Sequence, residues 1–168
     1  MTPASSDDAL SADLAKLATR LAPVRLSGLA LAPLGRFLAL MPEGNTAPLN
    51  ALAAEVVRTL DPHRAPPSEA ELARRRSARL SPSQNENLAR WGYAHVMDDF
   101  RFHITLTGPL PRPMLASVQA ALAPHLANLL PRPLPINDLC LFGEAPDGHF
   151  HLISRHALSG SAPSTTPH

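Results

Sequence analysis

Proline constrains this chain more than any other feature. It occupies 19 of the 168 positions. Each proline fixes φ and removes a main-chain donor, so long helices and central strands do not pass easily through one. The prolines therefore mark where elements stop, and the apolar pattern between them says what the elements are. Leu10, Leu14, Leu17 and Leu21 recur at helical spacing, and Pro23 ends that helix. Residues 24–32 and 36–41 read as two strands joined around Pro33-Leu34-Gly35, a hairpin. Gly44-Asn45-Thr46 opens a second helix, whose stripe of Leu49, Leu52, Ala53, Val56, Val57 and Leu60 is the clearest amphipathic face in the chain. After a proline-rich break at 61–67, two short helices start on capping boxes. One is Ser68 with Glu71; the other is Ser81 with Gln84, where Pro82 takes the first helical position and Leu88 and Trp91 follow. Pro111 and Pro113 precede a helix bearing Leu115, Val118, Leu122, Leu126 and Leu129, which Pro124 should kink. Residues 134–142 and 149–158 read as a last hairpin around Pro146-Asp147-Gly148.

The predicted order is α, ββ, α, an αα insertion, β, α, ββ. Helices interrupt paired strands without regular βαβ alternation, which predicts an α+β fold with a largely antiparallel sheet. One domain is expected over 10–158, with a helical insertion at 68–97, a frayed start at 1–9 and a disordered tail at 159–168. Hydrophobic residues make up 45% and charged residues 17%, a globular balance that excludes wholesale disorder, collagen and coiled coil. No apolar run approaches the roughly 18 residues of a membrane span. A net charge of +1 argues against bulk electrostatic binding of nucleic acid. Fourteen of the fifteen basic residues are Arg; with the proline excess, this is explained by GC-rich codon usage. Arg74, Arg75, Arg76 and Arg79 read as a solvated face. The single cysteine, Cys140, excludes an internal disulfide and an all-cysteine metal site, and between Leu139 and Leu141 it reads as a small buried hydrophobe. The first residues lack a basic-then-apolar signal layout, so a cytoplasmic location is expected.

Chemistry concentrates in 100–107. Alternate side chains of a strand share a face. Phe100, Phe102, Ile104 and Leu106 fall on one face, expected to be core; Arg101, His103, Thr105 and Thr107 fall on the other. That polar face sets an imidazole and a hydroxyl about 6–7 Å apart along the strand. Histidine moves protons near neutral pH because its ordinary pKa is about 6.5. Threonine hydroxyls and Arg can hold a phosphate and stabilise its charge. A strand with one wet face would carry the same residues without any chemistry.

His103-Ile104-Thr105-Leu106, preceded by an aromatic and followed by a helix and a closing hairpin, resembles the second signature of the two-histidine (2H) phosphoesterase superfamily. The stretches Ala70–Leu110 and Ala32–Leu40 resemble the subfamily associated with bacterial phosphonate-utilisation operons, most specifically from Trp91-Gly92-Tyr93 to Gly108, and the likeness covers about 10–158. The resemblance implies a bilobal α+β fold with pseudo-two-fold symmetry and one His-x-Thr or His-x-Ser strand per lobe. Two histidines would share acid and base roles on a small cyclic phosphodiester, two hydroxyls would hold its oxygens, and neither metal nor cofactor would be required. By position, His103 is the acid/base and Thr105 a phosphate ligand. Arg101 and Thr107 join them as phosphate ligands on strand parity alone.

The superfamily counts two such motifs; this sequence has one. His63, His95, His125, His149, His151 and His156 lack the following hydroxyl, and His168 is terminal. The first motif would precede the helix at 10–21, so the fold is expected to be N-terminally incomplete. Three explanations are open: a misassigned start, a genuine non-catalytic truncation, or two chains building one composite site. Unpaired edges and an exposed apolar face would make such a chain prone to association, with a homodimer through the incomplete sheet as one outcome.

Three further residues are candidates for substrate contact: Tyr93, beside Trp91 and the helix-ending Gly92, and His151 and Arg155, predicted to share a strand face with His149 and Ile153. The plainer readings are that Trp91 packs the insertion, that 149–155 is a solvent face without metal-ligand spacing, and that His95, Asp98 and Asp99 are loop residues. The sequence thus supports a 2H-type phosphoesterase, a non-catalytic phosphate-ligand binding remnant, or an RNA-end-processing relative. The partner in each case is a small phosphorylated ligand rather than a membrane or bulk nucleic acid.

Overall fold

The structure, a computed structural model, describes residues 4–65 and 80–161. The first insertion helix with its Ser68–Glu71 box, and Arg74, Arg75, Arg76 and Arg79, lie outside the described residues. The fold is α+β: four α-helices and seven strands occur among the described residues, and every strand pair is antiparallel. The chain divides into two compact units, one of Met1–Pro23, Ala51–Phe100 and Asn137–His168, the other of Val24–Asn50 and Arg101–Ile136.

In the first unit, α1 (Ala4–Arg20) lays Leu14, Leu17 and Ala18 in the core and packs on the hairpin of β6 (Asp138–Glu144) and β7 (Phe150–Ala157). The helix starts at Ala4, so the frayed start expected over 1–9 is helical from there on. The tail is also anchored at its beginning. Ser159 N–H donates to Ala18 O and Gly160 N–H to Leu21 O, and a Cβ on Gly160 would strike the Arg20 backbone. Most of α2 (Ala47–Leu60) belongs here, with Leu52 and Ala54 buried. Its start is capped in the second unit by Asn45, whose Oδ1 accepts from Ala47 N–H. The helix α3 (Pro82–Trp91) carries both halves of the Ser81–Gln84 capping box and ends on Gly92 in the left-handed region at φ 71°, where glycine carries no Cβ penalty. The Arg90 guanidinium lies 4.5 Å above the Trp91 ring.

In the second unit, β2 (Gly28–Leu34) and β3 (Phe37–Glu43) form a tight hairpin, and β4 (Ile104–Thr105) adds to the far side of β3. The turn sits one step beyond the expected position. Pro33 is still in the ladder opposite Leu38, and Gly35 makes the bend at φ 62°. Proline is tolerated there because β2 is an edge strand. A separate two-stranded sheet joins β1 (Val24–Leu26) to β5 (Leu134–Ile136). The stretches 24–32 and 134–142, each expected as one strand, are therefore each split: the chain leaves the small sheet at Ser27 and again at Asn137 and takes a new partner. Apolar residues stand on both sides of each switch with no proline or glycine-rich loop between them, which is why the sequence reads as unbroken. The helix α4 (Arg112–Leu126) packs on β2 and β3, and Gln119 donates to Leu31 O. Leu115, Val118, Leu122 and Leu126 are half-buried, whereas Leu129 lies past the helix end and is exposed. Pro124 stands inside the last turn, and Ala127 N–H still bonds Ala123 O.

Candidate functional site

His103, Thr105 and Thr107 are held by the sheet β2-β3-β4. Thr105 stands opposite Ala39, and Ile104 opposite Leu40. Opposed residues of an antiparallel pair share a face, so Thr105 and Ala39 lie on one face while Ile104 and Leu40 lie on the other. His103 precedes this short strand with its ring beside Phe37, centroids 6.2 Å apart. Its Nδ1 lies 2.8 Å from Arg101 O. A carbonyl oxygen only accepts, so Nδ1 carries the proton and donates. In the neutral ring Nε2 is then unprotonated, and the side chain is exposed. This arrangement matches a proton-transfer group whose orientation is fixed by its own chain. Thr105 is also exposed, its hydroxyl on the face where alternation places the imidazole.

Thr107 does something different. Its Oγ1 accepts from Leu38 N–H at 3.0 Å and donates to Gly108 O at 2.9 Å. The hydroxyl replaces a main-chain partner and extends the β3–β4 pairing one step beyond Leu106, whose N–H donates to Leu38 O. Arg101 contributes its carbonyl to the His103 ring, and its side chain is exposed. The apolar face expected to be core is only partly so. Phe100 and Phe102 are half-buried, but Ile104 is 44% and Leu106 39% exposed. The reason is topological: β4 lies at the sheet edge, so burial on that face stops at Leu38 and Leu40 of β3.

The other candidates belong to the first unit. Tyr93 is exposed and meets His95 edge-on at 5.7 Å. His151 is exposed opposite Gly143, and Arg155 bonds Asp138 Oδ2 at 3.4 Å opposite Cys140. They do not share the predicted face. An extra residue in β7 shifts the register between Leu141 and Phe142, so alternation breaks between His151 and Arg155. His149 pairs with Asp147 across the turn. Cys140 is exposed rather than buried. Among the described residues, no group of three or more His, Cys, Asp or Glu side chains is placed to hold a metal ion. No helix among them is long and apolar enough to cross a membrane.

Two partners escaped the sequence reading: Phe37 against the imidazole and Leu38 N–H on Thr107. Both depend on which strand pairs with β4, and spacing within one strand does not encode that. A hydrogen bond of 2.9 Å from His63 Nε2 to Asp13 Oδ2, which the spacing of neither residue signals, ties α1 to the 3-10 turn after α2. The hydrogen bond from His63, then that from Lys16, holds the Asp13 carboxyl below its ordinary range.

A family model described as "Protein of unknown function (DUF1045)" matches residues 1–151. The chain belongs to this family. Among curated relatives, the DUF1045 chain is similar to the "Ribose 1,5-bisphosphate phosphokinase PhnN" of Janthinobacterium sp. (strain Marseille), 35% identical over 142 residues, 81% of this chain and 31% of that protein. A protein of the same name from Laribacter hongkongensis (strain HLHK9) is 35% identical over 144 residues, 86% of this chain and 33% of that protein. The DUF1045 chain thus spans about a third of the length of the curated relatives it matches. No solved structure matches it.

Proposed function

We propose that this DUF1045 chain is a metal-independent 2H-type phosphoesterase that opens a small cyclic phosphodiester in phosphonate metabolism. The observation that carries the reading is the exposed His103 ring, fixed through Nδ1 to Arg101 O, two residues before the exposed Thr105. The relatives' name, ribose 1,5-bisphosphate phosphokinase PhnN, supports the phosphonate setting and favours a phosphorylated ribose as the substrate class. In the reaction, a base removes a proton from water as its oxygen bonds to phosphorus. An acid returns a proton to the ring oxygen whose bond to phosphorus breaks, leaving a phosphomonoester and a free hydroxyl. His103 fills one of these roles, and Thr105 holds a non-bridging oxygen.

The test is hydrolysis of a 2′,3′-cyclic nucleotide and of a cyclic phosphate of ribose, with and without EDTA. Turnover unchanged by EDTA and reduced by about 10²–10⁴ in His103→Ala is the expected result. Thr105→Ala should weaken phosphate binding roughly tenfold, the effect of one hydrogen bond to a charged group. Phosphate binding that survives His103→Ala in a chain without turnover would assign ligand binding instead of catalysis.

A further inference from the structure

The His103 ring has two neighbours, one local and one from another strand. Its Nδ1–H bonds Arg101 O, two residues back, at 2.8 Å. The Phe37 ring stands 6.2 Å from it, centroid to centroid, with the two planes 35° apart. Aromatic rings attract one another at centroid separations of about 4.5–7 Å, and this pair falls in that range. A hydrogen bond between residues two apart on an exposed stretch competes with water and does not by itself hold a side chain in one rotamer. His103 is exposed, so burial does not hold it either. We propose that Phe37 is a positioning residue for His103. Its ring keeps the imidazole in the orientation in which Nδ1 donates to Arg101 O, and thereby keeps Nε2, the nitrogen that moves the proton, in one place. This inference rests on the phosphoesterase reading for the reaction it serves; the orientation itself is measured without substrate.

Phe37 suits this role because its own backbone is tied to the chain that carries the histidine. It is the first residue of β3, opposite Leu34 across the turn at Gly35. Before it, Arg36 O accepts from Leu110 N–H at 2.6 Å. After it, Leu38 is fully buried, and both its main-chain groups are taken: its N–H donates to Thr107 Oγ1 and its O accepts from Leu106 N–H. Ala39 then pairs with Thr105. The residues that flank Phe37 are thus bonded to residues that closely follow His103, and the two rings cannot drift apart without breaking those bonds. Phe37 is half-buried, which restrains its own side chain. The contact matters at the scale of proton transfer. A catalytic group must come within about 2.6–3.2 Å of the atom it serves. A misplacement of about 1 Å can cost about 10²-fold in rate. An imidazole that turns about its Cβ carries Nε2 further than that.

The test compares, in the full chain, Phe37→Leu, which keeps apolar volume and removes the ring, with Phe37→Tyr, which keeps the ring. NMR of the neutral imidazole, assigned by the signals lost in His103→Gln, reads the orientation without substrate. In wild type the ring protons of Phe37 and His103 should show a mutual nuclear Overhauser effect, and the ring nitrogen shifts should be those of the tautomer protonated at Nδ1. Phe37→Leu should move the imidazole shifts toward those of a free histidine side chain, and Phe37→Tyr should keep them. With a 2′,3′-cyclic nucleotide, Phe37→Leu should lower kcat about ten- to a hundredfold with KM within about twofold of wild type, and Phe37→Tyr should bring kcat back to within about threefold. Rings without a mutual effect in wild type, or imidazole shifts unchanged in Phe37→Leu, overturn the positioning role. So does a KM that rises while kcat stays, which would set Phe37 against the substrate instead. If Phe37→Leu fails to fold, the wild-type ring contact and the Phe37→Tyr shifts decide. A wild type with the expected NMR signature and no turnover keeps the orientation and overturns the phosphoesterase reading.

Discussion

Thr107 and Thr105 are two residues apart and have different work. Thr105 is exposed to solvent, whereas Thr107 spends its hydroxyl on Leu38 N–H and Gly108 O. Leu38 is fully buried, so its N–H has no water to turn to if that partner is lost. Thr107→Val should therefore cost about 1–3 kcal/mol, the penalty of an unsatisfied buried donor, while Thr107→Ser should restore most of it. Denaturant unfolding of the two variants checks this, and phosphate affinity should follow stability loss rather than lead it. Parity along 100–107 puts His103, Thr105 and Thr107 on one side. What separates the two threonines is the β3 backbone, a partner more than sixty residues away in the chain. The proton position on His103 is likewise set by a carbonyl two residues back, which no residue type announces.

At the scale of elements, α1 is held to the turn after α2 by Asp13 and His63. Hydrogen bonding depresses the folded-state pKa of Asp13 relative to the ordinary carboxylate value of about 3.9. A depressed carboxylate stabilises the fold above the unfolded value, and that contribution is lost as pH falls through the folded value. The stability difference between wild type and Asp13→Asn should thus be present near pH 6 and vanish in strong acid. Thermal unfolding across that range measures it, and a difference that persists in acid would remove Asp13 as its source. The helices were largely legible, because their stripes and caps are local: the Ser81–Gln84 box, Gly92 and the Leu14, Leu17 face all stand where spacing puts them. The strands were legible as strands but not as partners. Alternation states which side chains share a face; it does not say that 24–26 and 28–34 belong to different sheets, that β7 carries a bulge, or that β4 lies on an edge with Ile104 and Leu106 uncovered.

At the scale of the whole molecule, six of the nine exposed large apolar side chains among the described residues lie on or next to two groups of strands. Besides β4, the β6–β7 hairpin exposes Phe142, Phe150, Leu152 and Ile153. Patches of this kind drive association when nothing covers them. Phe150 is 67% exposed, so replacing it removes little burial. Phe150→Ser should raise the concentration at which the protein begins to scatter light and leave the unfolding midpoint within about 0.5 kcal/mol of wild type, as for other surface changes. Loss of the fold in this variant would show instead that the hairpin needs that ring.

The small sheet of β1 and β5 sets a timetable for synthesis. Leu26 and its partner Leu134 are paired across more than a hundred intervening residues. At the ribosome's rate of roughly 5–20 residues per second, β1 waits on the order of ten seconds before β5 exists to receive it. Through that interval the first unit also lacks its hairpin of β6 and β7, which follow β5 in the chain. The nascent chain therefore depends on whatever shelters Val24 and Leu26 while they are unpaired, and slowing translation between α2 and β5 should lower the yield of folded protein more than slowing it anywhere earlier.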